Sequence, residues 1–246
     1  MIDLHAHILP GVDDGAWDMA ESVEMARMAV ESGVECVVAT PHCNLPEGGL
    51  WAREVRAAVK TFQQRLEEEN IPLRIAAGME IFGMPDAPAL LRSGRLMGLG
   101  ESRYVLVEFP FSDYAHEATA VLEEIGDMGL RPIVAHPERY AYVQTAPELV
   151  NLWTELGCLL QVNRGSLLGR FGRRAETVAH AMVERGFAAF VASDAHSPLR
   201  RTPWMRDVER LICEEYSPAL AKRLLEEHPR QVLLDGEIEQ AEPEWF

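Results

Sequence analysis

The chain has 246 residues, 39 of them acidic against 23 basic, for a formal net charge of −16. That length gives one large domain or two small ones with a sizeable buried core. A field of that sign repels nucleic-acid backbones and anionic membrane surfaces, which argues against both as partners.

Ile2 to Leu4 reads as a short apolar strand. His5 and His7 leave its end on one side, because strand side chains alternate with period two. The acidic turn Asp13-Asp14-Gly15 follows, and then Asp18-x-x-Glu21 looks like a capping box opening a helix through Met28 and Glu31 that stops at Gly33. Val34 to Ala39 is a buried second strand, with Thr40-Pro41-His42 at its exit. A helix from Trp51 to Glu69 precedes the third strand, Leu73 to Ala77, which delivers Gly78-Met79-Glu80. A short helix over Ala87 to Ser93 leads to the fourth strand, Tyr104 to Val107, ending in Glu108.

A helix from His116 to Met128, with Gly129 as its C-cap, comes next. The fifth strand, Pro132 to Ala135, exits into His136-Pro-Glu-Arg139-Tyr140, and a helix spans Pro147 to Leu156. The sixth strand, Leu159 to Val162, exits at Asn163-Arg164-Gly165-Ser166. A helix from Ala175 to Arg185 precedes the seventh strand, Phe187 to Ala192, which delivers Ser193-Asp194-Ala195-His196. Helices over Pro203 to Glu215 and Pro218 to His228 close the chain. No linker, low-complexity tract or repeat interrupts this pattern, so residues 1–246 read as a single domain.

Seven strand–helix units predict an α/β fold of the (β/α) barrel kind, one unit short of eight, whose functional side chains come from the C-terminal ends of several strands. His5, His7, His42, Glu80, Glu108, His136, Asp194 and His196 all fall on that side. Helix caps and turns at strand ends call for Ser, Asn, Asp and Gly, not for histidines alternating with glutamates. With Asp14 the set reaches nine donors, too many for one tetrahedral zinc; a mixed imidazole and carboxylate set suits two or three bridged divalent ions such as manganese, iron or zinc.

These residues carry a resemblance. Asp3-Leu-His5-x-His7, Pro41-His42, Gly78-Met-Glu80, Glu108-Phe, Ala135-His136-x-Glu-Arg139-Tyr140, Gln161-Val-Asn163 and Ser193-Asp194-x-His196 together resemble the PHP superfamily. Within it the chain is similar to bacterial manganese-dependent tyrosine-protein phosphatases of the CpsB/YwqE type, found with capsule and exopolysaccharide genes. The resemblance implies a distorted (β/α)7 barrel with a trinuclear centre on His5, His7, Asp14, His42, Glu80, Glu108, His136, Asp194 and His196, bridged by Glu80 and Asp194. It implies Mn2+ as the metal (Fe, Zn or Mg as alternatives), and a phosphotyrosine protein, a bacterial tyrosine kinase, as substrate. Two phosphate-holding arginines of the family fall on Arg139 and Arg201, the second beside Arg200.

The chemistry is coherent in its own terms. A metal-bridging water of lowered pKa supplies hydroxide at neutral pH, and guanidinium groups contact the phosphoryl oxygens as charge grows on them. A phenolate leaving group, with a pKa near 10, needs little general-acid help. The same centre would serve a small-molecule phosphatase, such as one acting on histidinol phosphate, with only the mouth around Phe82, Phe111, Tyr114, Tyr140 and Phe171 changed. A nuclease or polymerase-associated role conflicts with the net charge.

Cys158-Leu-Leu-Gln-Val-Asn-Arg164 matches the Cys-x5-Arg spacing of cysteine-dependent phosphatases, but its apolar run without glycine reads as a strand and not as a phosphate-wrapping loop. Cys36, Cys43, Cys158 and Cys213 form no Cys-x-x-Cys pair, which suits reduced thiols in a cytoplasmic protein. No apolar run approaches a membrane span, and the N-terminus enters a histidine-bearing strand with no basic leader.

Overall fold

The structure, a computed structural model, describes residues 1–45, 49–112, 117–240 and 242–246. Nine strands occur among the described residues, and every ladder is parallel. They are β1 (Ile2–Ala6), β2 (Cys36–Ala39), β3 (His42–Cys43), β4 (Arg74–Ala77), β5 (Glu80–Phe82), β6 (Tyr104–Glu108), β7 (Arg131–Ala135), β8 (Leu159–Asn163) and β9 (Ala188–Ala192). The ladders run β1-β2-β4 and β3-β5-β6-β7-β8-β9.

The second and third expected strands do not end at Ala39 and Ala77. Each breaks and resumes, β2 as β3 and β4 as β5. Pro41 lies in the first break and has no N–H to give a ladder. Gly78 lies in the second, where a Cβ would sit 2.7 Å from Val38 and 2.9 Å from Leu99, so only glycine lets the chain pass that close. Followed through the breaks, the strands make seven successive staves. The first and last meet through a bridge between Ala6 and Ala195, with His7 N donating to Ala195 O at 2.8 Å and Asp194 N to His5 O at 2.9 Å. A short contact in place of a ladder joins the two edges, and this distorts the barrel.

The strands are buried on both faces, as parallel strands covered by helices require. Val105, Val107, Val134, Leu160 and Val162 pack in one cluster with Phe62, Trp153 and Met182 from the surrounding helices. Leu106, Ile133, Ala135, Leu159 and Phe190 form the other, inside the wall, with Leu99, Val232 and Ile238.

The helices are α1 (Met19–Glu31), α2 (Ala52–Glu68), α3 (Ala87–Arg92), α4 (Glu117–Asp127), α5 (Ala141–Thr145), α6 (Leu149–Glu155), α7 (Arg164–Leu167), α8 (Arg173–Glu184), α9 (Arg206–Glu215), α10 (Pro218–Lys222) and α11 (His228–Leu233). In α2 the residues Val55, Val59, Phe62 and Leu66 form the buried stripe; at roughly 1.5–3 kcal/mol per fully buried apolar side chain, that face anchors the helix. Asp18 caps α1 by accepting from Ala20 N and Glu21 N, while Glu21 reaches back one residue further than a capping box predicts, to Trp17 N at 2.9 Å. The helix expected from Pro203 starts at Arg206, and the one expected from Pro147 starts at Leu149. His116, the expected start of α4, lies outside the described residues.

Candidate metal centre

The polar strand ends converge at one mouth of the barrel. His5 lies within β1 and His7 just beyond it; His42 opens β3, Glu80 opens β5 and Glu108 ends β6. His136 follows β7, Asp194 and His196 follow β9, and Asp14 comes in on the loop after β1. His136 (φ 33°) and Asp194 (φ 50°) both take left-handed backbone, a costly conformation for non-glycine residues that is typical of functional positions.

Four overlapping sets of donor atoms arise, each within 4.8 Å: His7, Asp14, His42 and His196; His5, His7 and Glu80; His5, His136 and Asp194; and His42, Glu80 and Glu108. All nine residues singled out in the sequence occur in them. Glu80 is the hub. Its Oε1 lies 3.2 Å from His5 Nε2 and 3.1 Å from His136 Nε2, and its Oε2 lies 3.1 Å from His7 Nε2 and 3.0 Å from His42 Nδ1.

The two oxygens of Asp194 divide their partners. Oδ1 faces imidazoles of His5, His7 and His196 at 3.5, 3.6 and 3.7 Å. Oδ2 accepts from Asn163 Nδ2 at 2.6 Å and Arg139 Nη1 at 2.9 Å, and it pairs with Arg201.

The donor set fits divalent cations on three counts. His7 Nδ1 donates to Asp13 Oδ2 at 2.6 Å and His5 Nδ1 to Gln161 Oε1 at 2.9 Å, which leaves both Nε2 atoms as lone pairs. Facing each other at 3.3 Å and the Glu80 carboxylate at 3.2 and 3.1 Å, these atoms need positive charge between them, supplied by a shared proton or by a bound cation. His136 Nδ1 is buried with no partner among the described residues. Finally, carboxylates are crowded: burial, and next the neighbouring Glu80, push Glu108 up to about 8. Burial alone would raise Glu80 too, but the imidazoles of His5, His136 and His42 hold it well below the usual range. The hydrogen bond with His196 likewise draws Asp14 down.

Arg139 sits on the turn Pro137–Arg139, its guanidinium between the rings of Phe111 and Phe171 at 4.6 and 4.4 Å. Its ion-pair partner is Asp194 and not Glu138 or Glu148; Glu138 is buried and accepts from Asn163 N and Ser166 Oγ. Arg201 Nη1 lies 3.0 Å from His196 Nε2, the atom that also faces Asp14 Oδ1 at 3.4 Å, while Arg201 Nε is buried without an acceptor among the described residues. Arg200 is exposed, so of the two neighbours only Arg201 reaches the centre.

Cys158 lies 2% exposed beside β8, its thiol pushed up to about 12 by burial. Arg164 grips both oxygens of Asp207 at 2.7 and 2.5 Å, so the Cys-x5-Arg spacing builds no phosphate loop. Tyr140 does not line the mouth: it is fully buried, donating to Ala135 O and accepting from Phe109 N. Tyr114 lies outside the described residues.

Asp13, Gln161 and Asn163 hold donors in place, a task that their residue types alone do not reveal. The alternation of Gln161 and Asn163 in an otherwise apolar strand was the available signal.

The profile of the family described as "Capsular polysaccharide synthesis, CpsB/CapC" matches residues 1–234. Tyrosine-protein phosphatase YwqE of Bacillus subtilis is 36% identical over 229 residues, covering 92% of this chain and 89% of its own. Tyrosine-protein phosphatase CpsB of Streptococcus pneumoniae is 30% identical over 242 residues, covering 96% and 99%. The crystal structures of YwqE from Bacillus subtilis and CpsB from Streptococcus pneumoniae, described as unique metal-dependent tyrosine phosphatases, include a chain that superposes with a TM-score of 0.96 at 34% identity, over 100% of this chain and 99% of that one. With profile, sequences and fold agreeing over nearly its whole length, the chain belongs to the CpsB/CapC family of capsular polysaccharide synthesis.

Proposed function

We propose that the protein is a metal-dependent protein-tyrosine phosphatase acting in the cytoplasm on a phosphorylated bacterial tyrosine kinase, in control of capsule or exopolysaccharide synthesis. The observation that carries this reading is the meeting of two guanidinium groups with the nine-donor cluster at Asp194. The names of the relatives support phosphotyrosine as the substrate class.

His5, His7, Asp14, His42, Glu80, Glu108, His136, Asp194 and His196 are assigned to two or three divalent ions, with manganese foremost and iron, zinc or magnesium suited to the same donors. Such ions, when bound, supply Lewis-acid stabilisation and make hydroxide available at neutral pH. Gln161 and Asp13 fix the tautomers of His5 and His7, so that Nε2 faces inward. Arg139 and Arg201 hold the phosphoryl oxygens, with the unsatisfied Arg201 Nε as one donor. Phe111 and Phe171 keep the Arg139 plane in position. The phenolate departs without an assigned acid, given a pKa near 10.

Steady-state hydrolysis of a phosphotyrosine peptide and of histidinol phosphate, with manganese and after chelation, tests the reading. Efficient metal-dependent turnover of the peptide alone is expected. A preference for histidinol phosphate, or undiminished turnover by fully chelated protein, would overturn it.

A further inference from the structure

Beside Arg201 lies a cavity of about 200 Å³, lined by Arg164, Arg170, Phe171, Ser193, Arg200 and Arg201. Four guanidinium-bearing residues share one small space in a chain of net charge −16, and among the described residues no carboxylate lines it. Two are engaged by the fold: Arg164 donates to Asp207 and to Thr202 O, and Arg201 pairs with Asp194. The other two are held less firmly. Arg170, half exposed, approaches Asp207 only at 4.0 Å, and the Arg200 side chain makes no ion pair among the described residues. Four guanidinium groups thus share two carboxylates, Asp207 and Asp194, and the excess of positive charge favours an anion.

The cavity adjoins the metal centre. Phe171 lies 5.8 Å from the Arg201 guanidinium and 4.4 Å from that of Arg139, so one ring borders both spaces. Gly165 makes room for that ring, since a Cβ there would sit 2.6 Å from it. A phosphoryl group held by Arg139 and Arg201 would therefore leave the cavity within reach of the next few residues of an extended peptide, at about 3.3 Å per residue.

We infer that this cavity binds a second anionic group of the substrate, a carboxylate or a phosphate on a residue flanking the phosphotyrosine. The inference rests on the phosphatase reading and adds a substrate class to it: acidic or multiply phosphorylated segments. Arg170 and Arg200 are specificity residues, outside the reaction itself.

The test uses manganese-loaded protein and three phosphotyrosine peptides of equal length, flanked by glutamates, by glutamines, or by a second phosphotyrosine. The wild type should show a KM for the glutamate peptide about tenfold below that for the glutamine peptide, as two partly exposed ion pairs supply together. In Arg170→Ala/Arg200→Ala that preference should fall below about twofold, with kcat and the hydrolysis of p-nitrophenyl phosphate unchanged. Raised salt should erode it likewise. Arg170→Lys/Arg200→Lys keeps the charge and should retain most of it. A doubly phosphorylated peptide with the lowest KM would name phosphate as the preferred anion; otherwise carboxylate is preferred. Equal KM values in the wild type, or a preference that survives the double alanine variant, would overturn the inference. If the wild type hydrolysed no phosphotyrosine peptide, the phosphatase reading would fall instead. Fluorescence anisotropy of the same labelled peptides on wild type and double variant would then decide the cavity by the same tenfold criterion.

Discussion

Gln161 Oε1 accepts a hydrogen bond from His5 Nδ1 at 2.9 Å, and the bond opens a relay along β8. Gln161 Nε2 donates to Asn163 Oδ1 at 2.8 Å, and Asn163 Nδ2 donates to Asp194 Oδ2 at 2.6 Å. A strand with no donor among the nine thus ties a histidine of β1 to the carboxylate beyond β9, and it sets both the His5 tautomer and the oxygen that Asp194 turns inward.

Gln161→Leu should therefore weaken metal binding by roughly 10–100-fold, the usual cost of losing such a support. The side chain is nearly isosteric and buried, so the fold should persist, though Asn163 loses a donor. Metal titration of the stripped protein measures the effect, with circular dichroism as the control for folding. Gln161→Glu keeps an acceptor for His5 and should recover part of the affinity. Equal metal affinity in Gln161→Leu and wild type would reduce the relay to packing.

His136→Ala and Asp194→Ala should each lower metal content and reduce turnover by several orders of magnitude. Asp194→Ala should also destabilise the protein, because Arg139, Arg201 and Asn163 all lose their shared acceptor. Leaving such donors unsatisfied costs about 1–3 kcal/mol or more. Elemental analysis and thermal melts separate the two effects. Full metal occupancy at a normal rate in either variant would remove that residue from the site.

Much of this arrangement is legible in the sequence because parallel strands buried on both faces are apolar throughout, so a histidine or glutamate at their ends stands out. That contrast located Glu80 and Glu108 without any knowledge of the fold. The breaks at Pro41 and Gly78 are not legible as strand interruptions, since they depend on ladder partners and on the approach of Val38 and Leu99. Asp13 was visible as part of a turn, but its bond to His7 Nδ1 follows from how that turn folds back. Tyr140 reads as a mouth residue by position, and only packing shows its hydroxyl occupied by Ala135 O and Phe109 N.

Cys158→Ala should leave turnover within about twofold of the wild type. With its thiol pushed up to about 12, Cys158 stays protonated from pH 7 to 9, and raising the pH through that range creates no thiolate. Alkylation of the native protein should spare it, while denatured protein should react. The variant should lose roughly 1 kcal/mol of stability from the small cavity. Abolished turnover with the metals retained would contradict a metal-based reaction.

Arg139→Ala should lower kcat/KM roughly a hundred- to thousandfold while leaving the metals in place, the loss expected when a charge-assisted contact to developing charge is removed. Its bond to Asp194 raises a competing account, in which Arg139 merely neutralises that carboxylate. In that case Asp194 would still keep Asn163 and Arg201 on the same oxygen, so the rate should fall little and the metal affinity should change instead. Inorganic phosphate separates the accounts, because product and substrate share the anion site: it should inhibit the wild type more strongly than Arg139→Ala. Arg139→Lys keeps the charge but loses the planar fork that lies between Phe111 and Phe171, and should fall between the two in both rate and phosphate inhibition. Equal phosphate inhibition in wild type and Arg139→Ala, with a rate loss below about fivefold, would leave Arg201 as the one guanidinium at the centre to hold the phosphoryl group.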